Sequence, residues 1–196
     1  MTAEDSGQAA GSGLALVGYR GTGKSTVGRI VAERMRCAFA DADIELERAV
    51  GRSIRSIFEL DGEPAFRALE AEVLLDLTES PRLAVGVLAT GGGAVLLEAN
   101  RRALRRFGLV VWLTADSETL ARRLSGSRSP LADRPALTAA GTLEEVAAVL
   151  AARTPIYREA ADVEVVSGGR SVFEVADSVA EAWRASAARL SEQGAR

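Results

Sequence analysis

Residues 18–26 read GYRGTGKST and match the pattern G-x-x-x-x-G-K-[S/T] of a phosphate-binding loop. An apolar run, LALVG at 14–18, precedes the loop, and apolar residues at helical spacing follow it from Lys24 to Arg36. The glycines let backbone N–H groups approach phosphate oxygens, and the start of the helix adds the positive end of its dipole. A strand, a loop and a helix in this order predict a nucleoside triphosphate site.

Lys24 is the only lysine in the chain, since the other 23 of the 24 basic residues are arginines. Its ammonium is a compact charge on a slender stem, so it can enter the loop and bridge the β- and γ-phosphates. The planar guanidinium of arginine is too wide for that concavity. A regulatory GTPase is disfavoured, because its guanine-reading N-K-x-D motif would need a second lysine.

The residues predicted to hold the nucleotide share this loop and the first helical turn. They are Gly21, Thr22, Gly23, Lys24, Ser25 and Thr26. The hydroxyl of Ser25 is also expected to hold a magnesium ion.

The composition is that of one globular domain without histidine chemistry. The chain has 196 residues, 47% hydrophobic and 26% charged, and a net charge of -3 that gives no case for nucleic acid or membrane partners. One cysteine, Cys37, excludes an internal disulfide, and the lack of histidine excludes an imidazole base. Because no signal peptide or run of about 20 apolar residues is present, a cytoplasmic protein is expected.

Short apolar runs alternate with helical patterns along the chain. Strands are predicted at 14–18, 37–43, 83–90, 109–114 and 163–166. This alternation predicts an α/β fold with a parallel sheet covered on both faces, in which ligands bind at the carboxyl ends of the strands. The predicted domain covers 13–190, between a disordered tail at 1–12 and a flexible end at 191–196.

Two segments of the domain are predicted to lie outside the sheet. Residues at about 43–77 have helical periodicity with breaks near Gly51 and 61–64, so two or three helices are expected. The stretch at about 125–141 is rich in Gly, Pro, Ser and Ala, and loops of this length are typical of lids or disordered segments.

Two carboxylates follow the second predicted strand as D-A-D. On a strand, Asp41 and Asp43 would share one face. Asp41 could then hold magnesium through water, and Asp43 could orient or deprotonate an acceptor hydroxyl. Asp43 could equally cap a helix that starts at Ile44.

Further candidates are ambiguous from residue type alone. Arg67 has Glu70 three residues later, so a helical ion pair is its simplest interpretation. The glycines at 91–93 either form a permissive turn or let backbone amides approach a substrate. Arg153, on a helical segment, carries no signal by itself.

Taken together, these segments resemble the shikimate kinases over about 14–166. The resemblance is carried by GYRGTGKSTVGR (18–29), DAD (41–43), GRSIRSIFELDGEPAFRALE (51–70), GGGAV (91–95), DRPAL (133–137) and RTPIYRE (153–159). It implies ATP-dependent phosphorylation of the 3-hydroxyl of shikimate, a step toward chorismate and the aromatic amino acids, with ATP and Mg²⁺ as cofactors. It also implies a monomer with a fold like that of the nucleoside monophosphate kinases, a five-stranded parallel sheet in the order 2-3-1-4-5 with a mobile lid.

The resemblance further implies roles in binding the acceptor. Asp43 resembles the residue that contacts the hydroxyls of shikimate and acts as base. Arg67 and Arg153 match the pair that binds the carboxylate, where a guanidinium gives a two-pronged contact. Gly92 and Gly93 match the backbone that lines the substrate.

For the nucleotide, the resemblance implies that Asp41 is associated with magnesium and that Arg123 stacks on adenine. Arg134, followed by proline, matches the lid arginine that reaches the transferring phosphoryl group, although the same loop also offers Arg128. Lys24, Asp43 and Arg134 are therefore the predicted catalytic residues.

Two other functions remain open. A related kinase for gluconate or a nucleoside monophosphate would share the phosphate loop, and paired arginines would also suit the carboxylate of gluconate. A catalytically silent ATP-binding regulatory subunit would bind the nucleotide without phosphorylating any acceptor.

Overall fold

The five predicted strands form one parallel sheet in the computed structural model, which describes residues 11–126 and 143–194. The strands are β1 (Gly13–Val17), β2 (Phe39–Asp41), β3 (Val87–Ala89), β4 (Gly108–Thr114) and β5 (Val163–Val166). Their order is β2-β3-β1-β4-β5, and every neighbouring pair is parallel. The predicted α/β fold and its strand order are confirmed. The expected lid lies outside the described residues, except for 125 and 126.

Helices cover both faces of the sheet. They are α1 (Lys24–Met35), α2 (Ala42–Val50), α3 (Ile54–Leu60), α4 (Gly62–Glu79), α5 (Glu98–Phe107), α6 (Ser117–Ser125), α7 (Leu143–Ala160) and α8 (Val172–Gly194). Two short 3₁₀ turns, Pro81–Leu83 and Ala94–Leu96, precede β3 and α5. Three helices, α2 to α4, fill the region where two or three were expected. None of the described helices is long and apolar enough to cross a membrane.

Side chains along β1 alternate between two hydrophobic clusters, one on each face of the sheet. Leu14 and Leu16 pack with residues of α1 and α8, whereas Ala15 and Val17 pack with residues of α4, α5 and α7. All four side chains are fully buried, which explains why this central strand is a continuous apolar run. The helical layers leave the carboxyl ends of the strands as the edge where functional loops gather.

Element boundaries differ from the sequence prediction at three places. β2 ends at Asp41, where the next helix begins, and β3 spans only Val87–Ala89, because Pro81 starts a 3₁₀ turn instead of a strand. The sequence pattern predicts a helix over 142–152, whereas α7 continues to Ala160, since Tyr157 and Ala160 are buried in the core.

Both ends of the described domain reach further than expected. The Gly11 N–H donates to the carbonyl of Arg106 at 2.8 Å, and the Trp183 indole N–H donates to the carbonyl of Ser12 at 3.1 Å. Residues 11 and 12, expected in the disordered tail, therefore contact the domain. At the other end, α8 runs to Gly194, where a flexible segment was expected from 191.

Gly28 lies where α1 packs most closely on the sheet. A Cβ there would lie 2.8 Å from the ring of Phe39 and 3.2 Å from Leu16. We predict that Gly28→Val destabilises the fold by about 1–3 kcal/mol through overpacking, and that each kcal/mol lowers the melting temperature by roughly 2–4 °C. Ala49→Val, at an exposed position of α2, is the matched control and should change stability by less than about 0.5 kcal/mol. Equal melting temperatures for the two variants in calorimetry would contradict the close packing.

Candidate active site

The loop between β1 and α1 needs glycine at defined positions. Gly18 has a φ of 138°, and a Cβ there would overlap the carbonyl oxygen of Leu113 on the neighbouring strand. Gly23 has a φ of 95° and is the N-cap of α1. Thr22 is buried, and its hydroxyl donates to the carbonyl of Tyr19 at 2.8 Å, which closes the loop on itself. The loop therefore has the backbone conformation that only its glycines permit.

The ammonium of Lys24 lies inside this loop. Its Nζ donates to the carbonyls of Gly18 at 2.7 Å and Tyr19 at 3.0 Å, and the residue is only 8% exposed. The following residue, Ser25, is partly exposed in the first turn of α1. The predicted lysine and hydroxyl are therefore next to each other at the positive end of the helix.

Arg123 joins the phosphate-binding loop to the segment after β5. Its Nη1 donates to the carbonyl of Gly21 at 3.0 Å, and its Nη2 donates to the carbonyl of Ser167 at 2.9 Å. A pocket of about 250 Å³ opens beside these contacts, lined by residues that include Thr26, Arg123 and Arg170. The side chain expected on adenine thus borders a pocket next to the loop. The sequence prediction missed Ser167 and Arg170, although the SGGR segment after the last strand was a usable signal.

Asp41 and Asp43 do not lie together on a strand. Asp41 is the last residue of β2 and the N-cap of α2, because its Oδ1 accepts the N–H of Asp43 at 3.0 Å. Asp43 lies in the first turn of the helix, so the capping residue is Asp41 and not Asp43. In the sheet, Asp41 is level with Ala89 of β3, which is level with Leu16 of β1. Two strand spacings, about 10 Å, therefore separate Asp41 from the strand that leads into the phosphate-binding loop.

Arg67 makes the ion pair with Glu70 and also contacts the glycine turn. Its Nη1 donates to Glu70 at 2.7 Å, and its Nε and Nη2 donate to Glu63 at 3.2 and 2.9 Å. A Cβ on Gly93 would overlap the guanidinium, so the two groups lie against each other. Burial alone would lower the pKa of Arg67, but Glu70 and Glu63 together raise it above its usual value. Arg67 therefore stays charged beside Gly93.

Arg153 reaches the same turn from α7. Its Nη1 lies 3.4 Å from the carbonyl oxygen of Gly92, and the Tyr157 hydroxyl donates to the same oxygen. A Cβ on Gly92 would lie 3.1 Å from the backbone nitrogen of Arg20, so the glycine turn also touches the phosphate-binding loop. The structure thus brings Arg67, Arg153 and both glycines together at one turn. Tyr157 was missed, although it lies one turn after Arg153.

The predictions for Arg134, Arg128 and the lid concern residues outside the described ranges. Within 11–126 and 143–194, no group of three or more Asp, Glu, Cys or His residues could hold a metal ion. Of the two residues predicted to hold magnesium, Ser25 is partly exposed and Asp41 is nearly buried.

Fold and site together define a P-loop kinase that acts on a small molecule. The shikimate kinase family model matches residues 20–184. The shikimate kinase of Symbiobacterium thermophilum is 42% identical over 186 residues, covering 93% of this chain and 98% of the relative. The shikimate kinase of Nitrobacter winogradskyi is 47% identical over 158 residues, which cover 81% of this chain and 70% of the relative. The chain belongs to the shikimate kinase family.

Solved structures agree with this assignment. A shikimate kinase from Acinetobacter baumannii in complex with shikimate has a TM-score of 0.78 and 35% identity, covering 88% of this chain and 92% of its own. The shikimate kinase from Aquifex aeolicus has a TM-score of 0.71 and 29% identity, covering 89% of this chain and 97% of its own. A gluconokinase from Sinorhizobium meliloti shares the fold alone. Its TM-score is 0.53 and its identity 17%, covering 95% of this chain and 98% of its own.

Arg123 provides a test of the nucleotide side of the site. We predict that Arg123→Ala raises the Kd for ATP at least about tenfold, because the carbonyls of Gly21 and Ser167 lose their charged donor, and a hydrogen bond to a charged group contributes roughly 1.5–3 kcal/mol. Arg122→Ala is the matched control, since the neighbouring side chain donates only a 3.4 Å bond to Thr119. Calorimetric titration with ATP measures both variants. An unchanged Kd for Arg123→Ala would remove this residue from the nucleotide site.

Proposed function

We propose that this protein transfers the γ-phosphoryl group of ATP to the 3-hydroxyl of shikimate, giving shikimate 3-phosphate and ADP. The observation that carries the proposal is the meeting of two loops at one edge of the sheet. Backbone atoms of Arg20, in the phosphate-binding loop, lie against Gly92, and Arg67 and Arg153 flank the glycine turn. A phosphate site next to a carboxylate site would suit phosphorylation of a hydroxy acid, so these contacts support the proposal.

On the nucleotide side, Lys24 is proposed to leave the loop carbonyls for the β- and γ-phosphates. The ammonium already lies in the concavity at short range from two backbone oxygens, so a small rotation of its flexible stem suffices. The positive charge then balances the negative charge that spreads over the γ-phosphoryl oxygens during transfer. Arg134, from the undescribed segment, is proposed as a second cation for the same oxygens.

Magnesium fits the donors at this edge. The ion typically keeps several waters and uses one or two carboxylates together with substrate phosphates, so it needs no cluster of protein ligands. Ser25 would hold it directly, and Asp41 would hold it through water. When bound, the ion neutralises charge on the β- and γ-phosphates.

On the acceptor side, the two arginines are proposed to bind the carboxylate of shikimate. Guanidinium groups suit a carboxylate because their parallel N–H groups match its two oxygens. Arg67 is fixed by Glu63 and Glu70, and Arg153 approaches from another helix, so together they define the orientation of the ring. Asp43, at the start of α2, is proposed to orient the acceptor hydroxyl and take its proton.

The reaction belongs to the formation of chorismate and the aromatic amino acids. We propose that the protein works in the cytoplasm as a monomer, with a small molecule as its substrate and neither nucleic acid nor membrane as a partner. The net charge of -3 supports the absence of a polyanionic partner.

The proposal predicts ADP formation that depends on shikimate. Purified protein with MgATP should show strong turnover with shikimate and little with gluconate or AMP, and a coupled assay for ADP measures all three. Turnover with another acceptor alone would keep the phosphate site and discard the proposed acceptor site. Silence with all three acceptors, with ATP still bound, would favour a regulatory subunit.

Lys24→Arg tests why this position holds the only lysine. We predict a loss of about 10²–10³ in kcat, because a planar guanidinium does not fit between the carbonyls of Gly18 and Tyr19. Arg29→Lys, an exposed exchange on the same helix, is the matched control and should keep normal turnover. Steady-state kinetics with shikimate measure kcat for both variants, and normal turnover of Lys24→Arg would refute the proposed role of Lys24.

A further inference from the structure

Tyr157 is a fully buried polar residue in contact with the proposed acceptor site. Its hydroxyl donates a hydrogen bond to the carbonyl oxygen of Gly92, and the two oxygens are 2.5 Å apart. Its ring stacks on Trp112, with the ring centroids 5.7 Å apart and an interplanar angle of 14°. It lies on α7 one turn after Arg153, so both side chains are on one face of the helix. The packing of the ring fixes where the hydroxyl can be.

The same carbonyl oxygen is within reach of Arg153. The distance from Arg153 Nη1 is 3.4 Å, longer than an ordinary hydrogen bond, whereas the contact from Tyr157 is short. Tyr157 is therefore the principal donor to Gly92. Among the described residues no carboxylate forms an ion pair with Arg153, so its positive charge is not balanced there, although one of its N–H groups contacts Gly92.

The carbonyl of Gly92 also determines how the next amide points. Because the peptide bond is planar and trans, a carbonyl directed at α7 turns the Gly93 N–H to the opposite side. Gly93 is buried, and among the described residues its N–H has no hydrogen-bond acceptor, so it is able to donate to a ligand. The bond from Tyr157 thus orients a donor for which no described residue is the acceptor.

We propose that Tyr157 is a positioning residue of the acceptor site, whose hydroxyl holds the Gly92 carbonyl and so keeps Arg153 free for the carboxylate of the acceptor. The inference rests on the proposed function in taking that acceptor to be shikimate. Without the hydroxyl, the buried carbonyl would lack its main partner, and the nearest replacement is the Arg153 guanidinium. Arg153 would then turn toward the backbone and bind the carboxylate less well.

The hydroxyl keeps this role at all physiological pH values. Burial raises the pKa of Tyr157 to about 12, although the neighbouring Arg153 guanidinium acts in the opposite direction. The phenol therefore stays protonated and remains a donor. Tyr19 and Glu70, the other ionisable groups that act on it, both favour the protonated form.

Tyr157→Phe removes the hydroxyl and retains the ring that stacks on Trp112. The expected result is a KM for shikimate that rises about tenfold, with kcat and the KM for ATP changed less than about threefold. Thr154→Val is the matched control, because it removes a hydroxyl that donates to the carbonyl of Leu150 on the same helix. An unchanged KM for shikimate in Tyr157→Phe, or an equal rise in both variants, would overturn the proposal.

A double-mutant cycle separates positioning from a general structural effect. In an Arg153→Ala background, Tyr157→Phe should raise the KM for shikimate little further, because the guanidinium that it protects is already gone. A full additional rise in that background would show that Tyr157 acts independently of Arg153 and would refute the proposed route.

Hydrogen exchange and a crystal structure with shikimate test the role of Tyr157 without measuring turnover. Hydrogen exchange of ligand-free protein over residues 91–96 should be faster in Tyr157→Phe than in wild type and unchanged in Thr154→Val.

If wild type fails to phosphorylate shikimate, the proposed function fails, whereas equal exchange rates in wild type and Tyr157→Phe would overturn only the role of Tyr157. Should Tyr157→Phe not fold, a crystal structure of wild type with shikimate decides, since Arg153 bonded to Gly92 instead of the carboxylate would refute the inference.

Discussion

The close approach of two glycine-bearing turns is the constraint on which the whole site depends. The turn after β1 carries the phosphate-binding loop, the turn after β3 carries Gly92, and their backbones touch at Arg20. A Cβ on Gly92 would lie 3.1 Å from the backbone nitrogen of Arg20, so a side chain there requires the neighbouring backbone to shift. Phosphoryl transfer needs reacting atoms held about 3–3.5 Å apart, so separation of the turns would remove the geometry that the reaction requires.

The strand order explains how distant segments meet there. β3 pairs directly with β1, although α1 to α4 and β2 lie between them in the sequence, so the two turns leave the sheet side by side. α4 then supplies Arg67 and α7 supplies Arg153 and Tyr157, because both helices pack against the turn that follows the glycines. The parallel sheet thus gathers residues from four connections at one edge, as its topology requires.

Much of this could be predicted from the sequence, but for different reasons at different residues. The phosphate-binding loop follows from local chemistry, since Gly18, Gly23 and Lys24 have conformational or steric requirements that few residues meet. The strand order and the pairing of Arg67 with Arg153 came from resemblance, because residue periodicity contains no information on which strands are neighbours. The contacts of Arg123 and Tyr157 span 102 and 65 residues, and only the folded chain shows their carbonyl partners.

Charge in the proposed acceptor site is balanced unequally between the two arginines. Arg67 already has two carboxylates, one of them the nearly buried Glu70, whereas Arg153 has backbone and aromatic neighbours within the described residues. In the proposed acceptor site, an entering carboxylate would therefore gain most of its electrostatic attraction from Arg153, and Arg67 would contribute mainly a fixed orientation. Since a guanidinium that bonds to backbone offers fewer N–H groups to a ligand, the affinity of the proposed site would depend on which group donates to the carbonyl of Gly92. The buried phenol of Tyr157 meets that need without adding charge.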